Sequence, residues 1–352
     1  MKVFIKTYGC QANIADSEQI AGTLSLNGHV VVDSEKESDV VVVNSCSVKN
    51  ATQSKVLQYI KSRDKKVFVG GCLTKTINIK KLIPNVTAVF DTNSISSINN
   101  VIENEADVFS NLKENRILTN VIRADRNTGV IAIGEGCLNK CTFCATKLSR
   151  GSLRSYRVGD IKRAVKKAVN DGCKIIYLTS QDNGCYGFDI KTSLPELLNE
   201  IISIDGDFEV RVGMMNPWHV EKILSDLVNV YKSSKIKKFI HIPVQSGSEK
   251  VLLDMKRVHT VDTFKKIART FRISFPDITI ATDVIVGYPT ESEKDFRLTF
   301  NLINEIKPEV LNISMFSSRN NTSASELTQL PSQIIKERSK RITQLFNSYR
   351  LA

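Results

Sequence analysis

The chain has 352 residues, with 49 Lys and Arg against 37 Asp and Glu, for a formal net charge of +12. Its composition is that of an ordinary globular protein long enough for two or three domains, which excludes a disordered or fibrous chain. No stretch reaches the roughly 20 apolar residues of a membrane helix, and the start, Met1-Lys-Val-Phe-Ile-Lys6, reads as a strand and not a signal peptide.

The predicted elements begin with a small domain over residues 1–103. Apolar, β-branched runs predict strands at 3–7, 30–33, 40–44, 67–70 and 86–90, with helices at 16–27, 50–63 and 94–103. This alternation predicts a small doubly wound parallel α/β domain. Residues 104–128 are polar and without period, and read as a linker. Residues 129–331 repeat strand then helix, with strands at 130–134, 175–179, 209–212, 239–244, 279–286 and 310–316. Helices are expected at 160–170, 194–202, 220–231, 261–271 and 291–306. Six such units predict a partial (β/α)6 barrel, since eight would close a full one. A basic helix over 332–349, with Lys336, Arg338, Lys340 and Arg341, ends the chain at 332–352.

Eight cysteines in a chain read as cytoplasmic point to clusters or metals before disulfides. Cys10, Cys46 and Cys72 each follow an apolar run that ends in Gly, Asn or Ser, so each marks the C-terminal tip of a strand. Such tips line one edge of a parallel sheet, where ligands bind. A single buried cysteine is usually core. One per strand tip, three times in succession, predicts a three-thiolate site. Cys173 precedes a strand and reads as core, and Cys185 lies in a loop with no assigned role.

Cys137, Cys141 and Cys144 carry the strongest signal, at C-x3-C-x2-C spacing on one loop after the first barrel strand. A cubane iron–sulfur cluster has four iron corners and is normally held by four cysteines. Three leave one iron open to a substrate or cofactor. The other strand ends carry small polar groups: Thr179-Ser180-Gln181-Asp182-Asn183, Gly213 to Asn216, Gln245-Ser246-Gly247-Ser248, and Val286-Gly287. On one rim beside the cluster loop, these suit a ribose, a carboxylate and an ammonium. Asp182 or Gln181 is placed to accept from an ammonium, and Arg157 to balance negative charge. His219, His241 and His259 have no spaced partners and read as structural.

The loop spacing resembles the radical S-adenosylmethionine (SAM) enzymes, and the whole motif order resembles the methylthiotransferases among them. Gly9-Cys10-x-x-Asn13 with Asp16-Ser17-Glu18, Asn44-Ser45-Cys46, Gly71-Cys72, His241 to Ser248, and Thr282-Asp283 through Gly287-Tyr288-Pro289 carry the likeness. Cys144 to Gly151, Leu178 to Asp182, and Gly213 to Pro217 resemble the archaeal and eukaryotic branch that acts on N6-threonylcarbamoyladenosine at tRNA position 37. The resemblance implies two [4Fe–4S] clusters, one on each cysteine triplet, and SAM. It implies SAM cleavage at the barrel cluster and methylated sulfur carried at the N-terminal one. It implies SAM contacts from Arg157, Ser180, Gln181, Asp182, Asn216, Gln245, Ser246, Gly247 and Val286. The implied partners are a tRNA anticodon stem-loop, a reducing electron donor and a sulfur source, with no membrane. The family usually continues into a small β-barrel RNA-binding (TRAM) domain. This sequence stops at Ala352, so either it is truncated or its RNA affinity comes from elsewhere, and weaker tRNA binding than that of a full-length version is expected. Residues 317–322 stand where the family more often reads Arg-Pro-Gly-Thr. The alternatives are isopentenyladenosine-37 or a ribosomal-protein aspartate as target, or a non-catalytic zinc–RNA module. Structural zinc prefers four closed ligands, and three per triplet fit it poorly.

Overall fold

A computed structural model of the protein describes residues 1–48, 50–112 and 114–350. The chain forms two compact units, Met1–Cys137 with Ala145–Gln181, and Leu138–Cys144 with Asp182–Ala352. The first opens with β1 (Lys2–Thr7), α1 (Gln11–Leu26), β2 (Val30–Val32), β3 (Val40–Ser45), α2 (Asn50–Lys61), β4 (Lys66–Gly71), α3 (Ile79–Leu82), β5 (Ala88–Val89) and α4 (Ile98–Asn104). The strands pair in parallel in the order β2-β1-β3-β4-β5. β3 is buried throughout, and its side chains alternate between two cores. Val40 and Val42 join Ile20, Leu24, Phe68 and Phe90 on one face, while Val41 and Val43 join Val56, Ile60 and Val69 on the other. Burial on both faces explains why β3 reads as an unbroken valine run.

The same unit continues with β6 (Thr128–Ala132), β7 (Gly134–Glu135), α5 (Thr146–Arg150), β8 (Arg154–Ser155), α6 (Val158–Asn170) and β9 (Ile175–Thr179). β6 and β9 pair in parallel. The second unit holds α7 (Leu194–Ile202), β10 (Glu209–Val212), α8 (Pro217–Lys222), α9 (Leu224–Tyr231), β11 (Phe239–His241), α10 (Glu249–Asp254), α11 (Val261–Ser274), β12 (Thr279–Val286), α12 (Glu293–Ile306), β13 (Val310–Met315) and α13 (Ser332–Arg350). β11, β12 and β13 form a parallel sheet in that order. No helix among the described residues is long and apolar enough to cross a membrane.

Several boundaries differ from the sequence expectation for identifiable reasons. α1 starts at Gln11, not near residue 16, because its polar Asn13, Asp16, Ser17, Glu18 and Gln19 are buried against partners and hide the apolar period. The 116–124 stretch supplies some of those partners. Ile122 N–H donates to the Glu18 carbonyl at 3.1 Å, and a Cβ on Gly22 would lie 2.2 Å from the Asn120 carbonyl oxygen. The expected 239–244 strand stops at His241, since Pro243 has no N–H to give and Gln245 turns to φ 73°. The expected 220–231 helix breaks at Ile223 into α8 and α9. α5 and α10 are short helices that no long period announces. At 317–322 the chain makes a turn in which Asn321 takes φ 64° and Thr322 N–H donates to the Arg319 carbonyl at 3.2 Å. Asn tolerates this left-handed backbone better than other non-glycine residues, so it can stand where the family more often has Gly.

Gly71 joins β4 to Cys72 at φ 92°, and a Cβ there would meet Asn44 Oδ1 and the Ser45 carbonyl oxygen at 2.4 Å each. Gly71→Ala is expected to destabilise the chain by about 2 kcal/mol and to lower iron uptake, read from a denaturant midpoint and an iron assay. A normal midpoint would remove the steric argument.

Candidate active site

β1, β3 and β4 are consecutive in the sheet, so their C-terminal tips stand side by side, about 5 Å apart per strand. Ser45 pairs with Gly71, which brings Cys46 level with Cys72 one residue on. Thr7 pairs with Asn44, which brings Gly9 level with Cys46. Gly9 has φ 127°, and a Cβ on it would stand 2.9 Å from the Cys46 Cβ. Only glycine lets the two strand tips approach so closely. Cys10 follows as the N-cap of α1, with Sγ 3.5 Å from Asn13 Oδ1. Cys10 is exposed, while Cys46 and Cys72 are buried.

Buried amides brace this edge. Asn13 Nδ2 donates to Asn44 Oδ1 and to the Ser45 carbonyl, both at 3.2 Å, and Asn44 Nδ2 donates to the Asn13 carbonyl at 2.8 Å. A charge network lies beside it. Arg150 donates from Nε to Cys72 Sγ at 3.3 Å and from Nη2 to Asp16 Oδ2 at 2.5 Å. Asp16 also takes Arg116 Nη1 at 3.3 Å, and Arg116 Nη2 reaches Glu135, which accepts from Tyr156 Oη at 3.1 Å. Burial, aided by the charges of Cys72 and Cys10, pushes the Cys46 thiol up to about 11. Burial also raises Cys72, against the pull of Arg150. Two buried thiols that resist ionising, beside a guanidinium already aimed at one sulfur, fit a thiophilic metal group. Such a group supplies the positive charge that thiolates at this edge require.

The second triplet sits on the loop between β7 and α5. In the first unit, Cys137 N–H donates to the Gly151 carbonyl at 3.2 Å, Lys147 Nζ reaches the Cys137 carbonyl, and Gln181 Oε1 accepts from Gly136 N–H at 2.5 Å. In the second unit, Arg257 Nη1 lies 3.6 Å from Cys141 Sγ, while its Nη2 donates to the Pro243 carbonyl at 2.9 Å. Burial raises the Cys141 thiol, and Arg257 opposes this. Thr142 pins the middle of the loop: its Oγ1 is 2.8 Å from Tyr288 Oη and donates to the Asp254 carbonyl at 3.1 Å. Three sulfurs on a loop fixed between its cysteines fit a cluster ligated from one segment.

The rim residues fall into two kinds. Asp182 is buried and already committed: Oδ1 accepts from Gly184 N–H and Asn216 N–H at 3.0 Å each, and Oδ2 meets Asn139 Nδ2 at 3.0 Å and His219 Nδ1 at 2.8 Å. Asn216 caps α8, and Ser246 Oγ and Gly247 N–H both meet Thr299 Oγ1. Val286 ends β12, fully buried. These residues shape strand-end loops. Ser180 and Gln181 are half-buried, and Gln245 is buried in the left-handed conformation. Arg157 is exposed at the start of α6, and the guanidiniums that meet sulfur are those of Arg150 and Arg257. Sequence reasoning passed over Arg150, although its place six residues after Cys144 was the available signal. The C-terminal basic helix is partly spent internally. Arg338 is buried on Glu291 at 2.7 Å and Arg341 pairs with Glu293 at 2.9 Å, leaving Lys336 and Lys340 exposed. His219 Nδ1 pairs with Asp182, His241 with Asp283 at 3.1 Å, and His259 Nε2 with the Val244 carbonyl at 3.2 Å, while burial holds His259 down at about 3. Cys173 and Cys185 are buried.

Residues 2–91 match the Uncharacterized protein family UPF0004, and residues 131–303 match the Radical SAM superfamily. A "Probable threonylcarbamoyladenosine tRNA methylthiotransferase" of Pyrococcus horikoshii is 43% identical over 97% of this chain and 82% of its own length. The Drosophila melanogaster "Threonylcarbamoyladenosine tRNA methylthiotransferase" is 36% identical over 99% of this chain and 66% of its own. The radical S-adenosylmethionine methyltransferase TsrM from Kitasatospora setae, solved with cobalamin and a [4Fe-4S] cluster, shares the fold at TM-score 0.66 and 11% identity, covering 92% of this chain and 77% of that one. The cofactors expected from the sequence, [4Fe–4S] clusters and SAM, are those of this enzyme class. The chain belongs to the threonylcarbamoyladenosine tRNA methylthiotransferases, a family of radical SAM enzymes.

Proposed function

We propose that this enzyme converts N6-threonylcarbamoyladenosine at tRNA position 37 to its 2-methylthio form, with one [4Fe–4S] cluster on Cys137, Cys141 and Cys144 and a second on Cys10, Cys46 and Cys72. The observation that carries the reading is the second triplet: three cysteines on consecutive strand tips, with Arg150 donating to one of them. A carbon–hydrogen bond on an adenine ring is beyond acid–base chemistry, and a bound SAM-cleaving cluster supplies the radical chemistry needed. The chain's own groups hold and shield. Arg257 balances charge at Cys141, and Gln181 fixes the turn before Cys137. Asp182, Asn216, Ser246, Gly247 and Val286 are positioning residues that set the rim loops, while Ser180 and Gln245 are assigned to SAM. Arg157, exposed at the start of α6, is assigned to balance the negative charge of the thiolates or the SAM carboxylate. The anticodon stem-loop is the macromolecular partner, with the base presented out of its stack. The setting is the cytoplasm, with a reducing electron donor and a sulfur source.

Two anticodon stem-loops, identical except for threonylcarbamoyl or isopentenyl on adenosine-37, test the substrate. The threonylcarbamoyl form alone is expected to turn over. Turnover of the isopentenyl form alone would overturn the substrate and leave the reaction class standing. Exposed Lys336 and Lys340 and the net charge of +12 make stem-loop affinity fall steeply with salt. A salt-independent Kd would contradict that electrostatic contribution.

A further inference from the structure

Arg150 belongs to neither triplet, yet it is 3% exposed and hydrogen-bonded through Nε and Nη2. Its Nε–H donates to Cys72 Sγ at 3.3 Å and its Nη2 donates to Asp16 Oδ2 at 2.5 Å. The preceding residue, Ser149, donates its hydroxyl to the Cys72 carbonyl at 2.6 Å, and Thr92 Oγ1 donates to the Ser149 carbonyl at 3.0 Å. Two successive residues of α5 therefore hold Cys72 by its side chain and by its backbone. α5 begins at Thr146, just after Cys144. On its other flank, Asp16 passes through Arg116 to Glu135, which lies just before Cys137. Both stems of the Cys137–Cys144 loop are thus wired, through buried charges, to the strand tip that carries Cys72.

We propose that Arg150 is a positioning residue that fixes the Cys72 thiolate and raises the reduction potential of the cluster at Cys10, Cys46 and Cys72. This rests on the cluster assignment made under the proposed function. A hydrogen bond to a ligating sulfur and a positive charge beside it both stabilise the more negative, reduced state of a cluster. Burial strengthens both effects, because little water screens them. A surface arginine would do neither.

The test uses the full chain carrying Cys137→Ala, Cys141→Ala and Cys144→Ala, so that only the N-terminal cluster is titrated. Iron content, the visible spectrum and the midpoint potential are measured after anaerobic reconstitution. R150Q is expected to shift the potential to more negative values, and R150K to lie between it and the parent. Removing Arg150 alone leaves Asp16 under-compensated, so the double variant R150Q with D16N is measured beside it, keeping the buried charge balanced if the single variant misfolds. It is expected to shift in the same direction by a smaller amount, because loss of the Asp16 charge offsets part of the loss of the Arg150 charge. Iron lost from a folded R150Q chain and retained in R150K supports the positioning role. An unchanged potential with iron retained in R150Q, or in the double variant where the single one misfolds, overturns the inference while leaving the cluster assignment intact. A parent that binds no iron overturns the assignment itself and the inference with it.

Discussion

Changing Cys10, Cys46 and Cys72 together to Ala leaves cleavage of SAM to 5'-deoxyadenosine running and abolishes every methylthiolated nucleoside. The expectation follows from where the two triplets stand. The N-terminal cysteines close a strand edge braced by Asn13 and Asn44, with Cys10 on Asn13, Cys46 on Val48 and Cys72 on Arg150. Loss of three sulfurs at that edge removes a place to hold transferable sulfur without touching the residues that fix the other loop, namely Thr142, Arg257 and Gln181. Chromatography of 5'-deoxyadenosine alongside nucleoside mass spectrometry reads both halves in one incubation. Methylthiolated product from the triple variant would show that the sulfur passes elsewhere.

Changing Cys137, Cys141 and Cys144 to Ala is expected to remove about half of the iron and all SAM cleavage, since each cluster depends on its own thiolates. The remaining iron reports the N-terminal site alone. Full iron retention would sink the assignment. Zinc in place of iron and sulfide in the unmodified chain would favour the metal–RNA alternative, although three ligands per triplet suit a closed zinc site poorly.

Most of what positions these sites was legible because strands and cysteines leave local marks. The valine run at 40–43 predicts a strand buried on both faces, and it is one. Cysteine at the end of three such runs predicts a shared edge, and the sheet order places β1, β3 and β4 together. The six strands expected after residue 128 lie within a few residues of their expected places, β11 being cut short by Pro243. What stayed hidden depends on partners distant in sequence. Asp16, Arg116, Glu135 and Arg150 look like surface charges one by one, and only the fold makes them a buried network. Arg157 drew attention by its nearness to the cysteine loop, yet Arg150 is the residue turned inward, because α5 carries it to Cys72. Asp182 reads as a ligand-binding carboxylate until its backbone and side-chain donors are counted in three dimensions. Polar residues on α1 hid that helix's start for the same reason.

The most direct measurement is a single incubation of the unmodified chain, reconstituted anaerobically with iron and sulfide, with SAM, a reductant and an anticodon stem-loop bearing N6-threonylcarbamoyladenosine-37. Digestion and nucleoside mass spectrometry are expected to show the 2-methylthio derivative of that nucleoside, formed together with 5'-deoxyadenosine. Release of 5'-deoxyadenosine with the nucleoside recovered unchanged would contradict the proposed transfer.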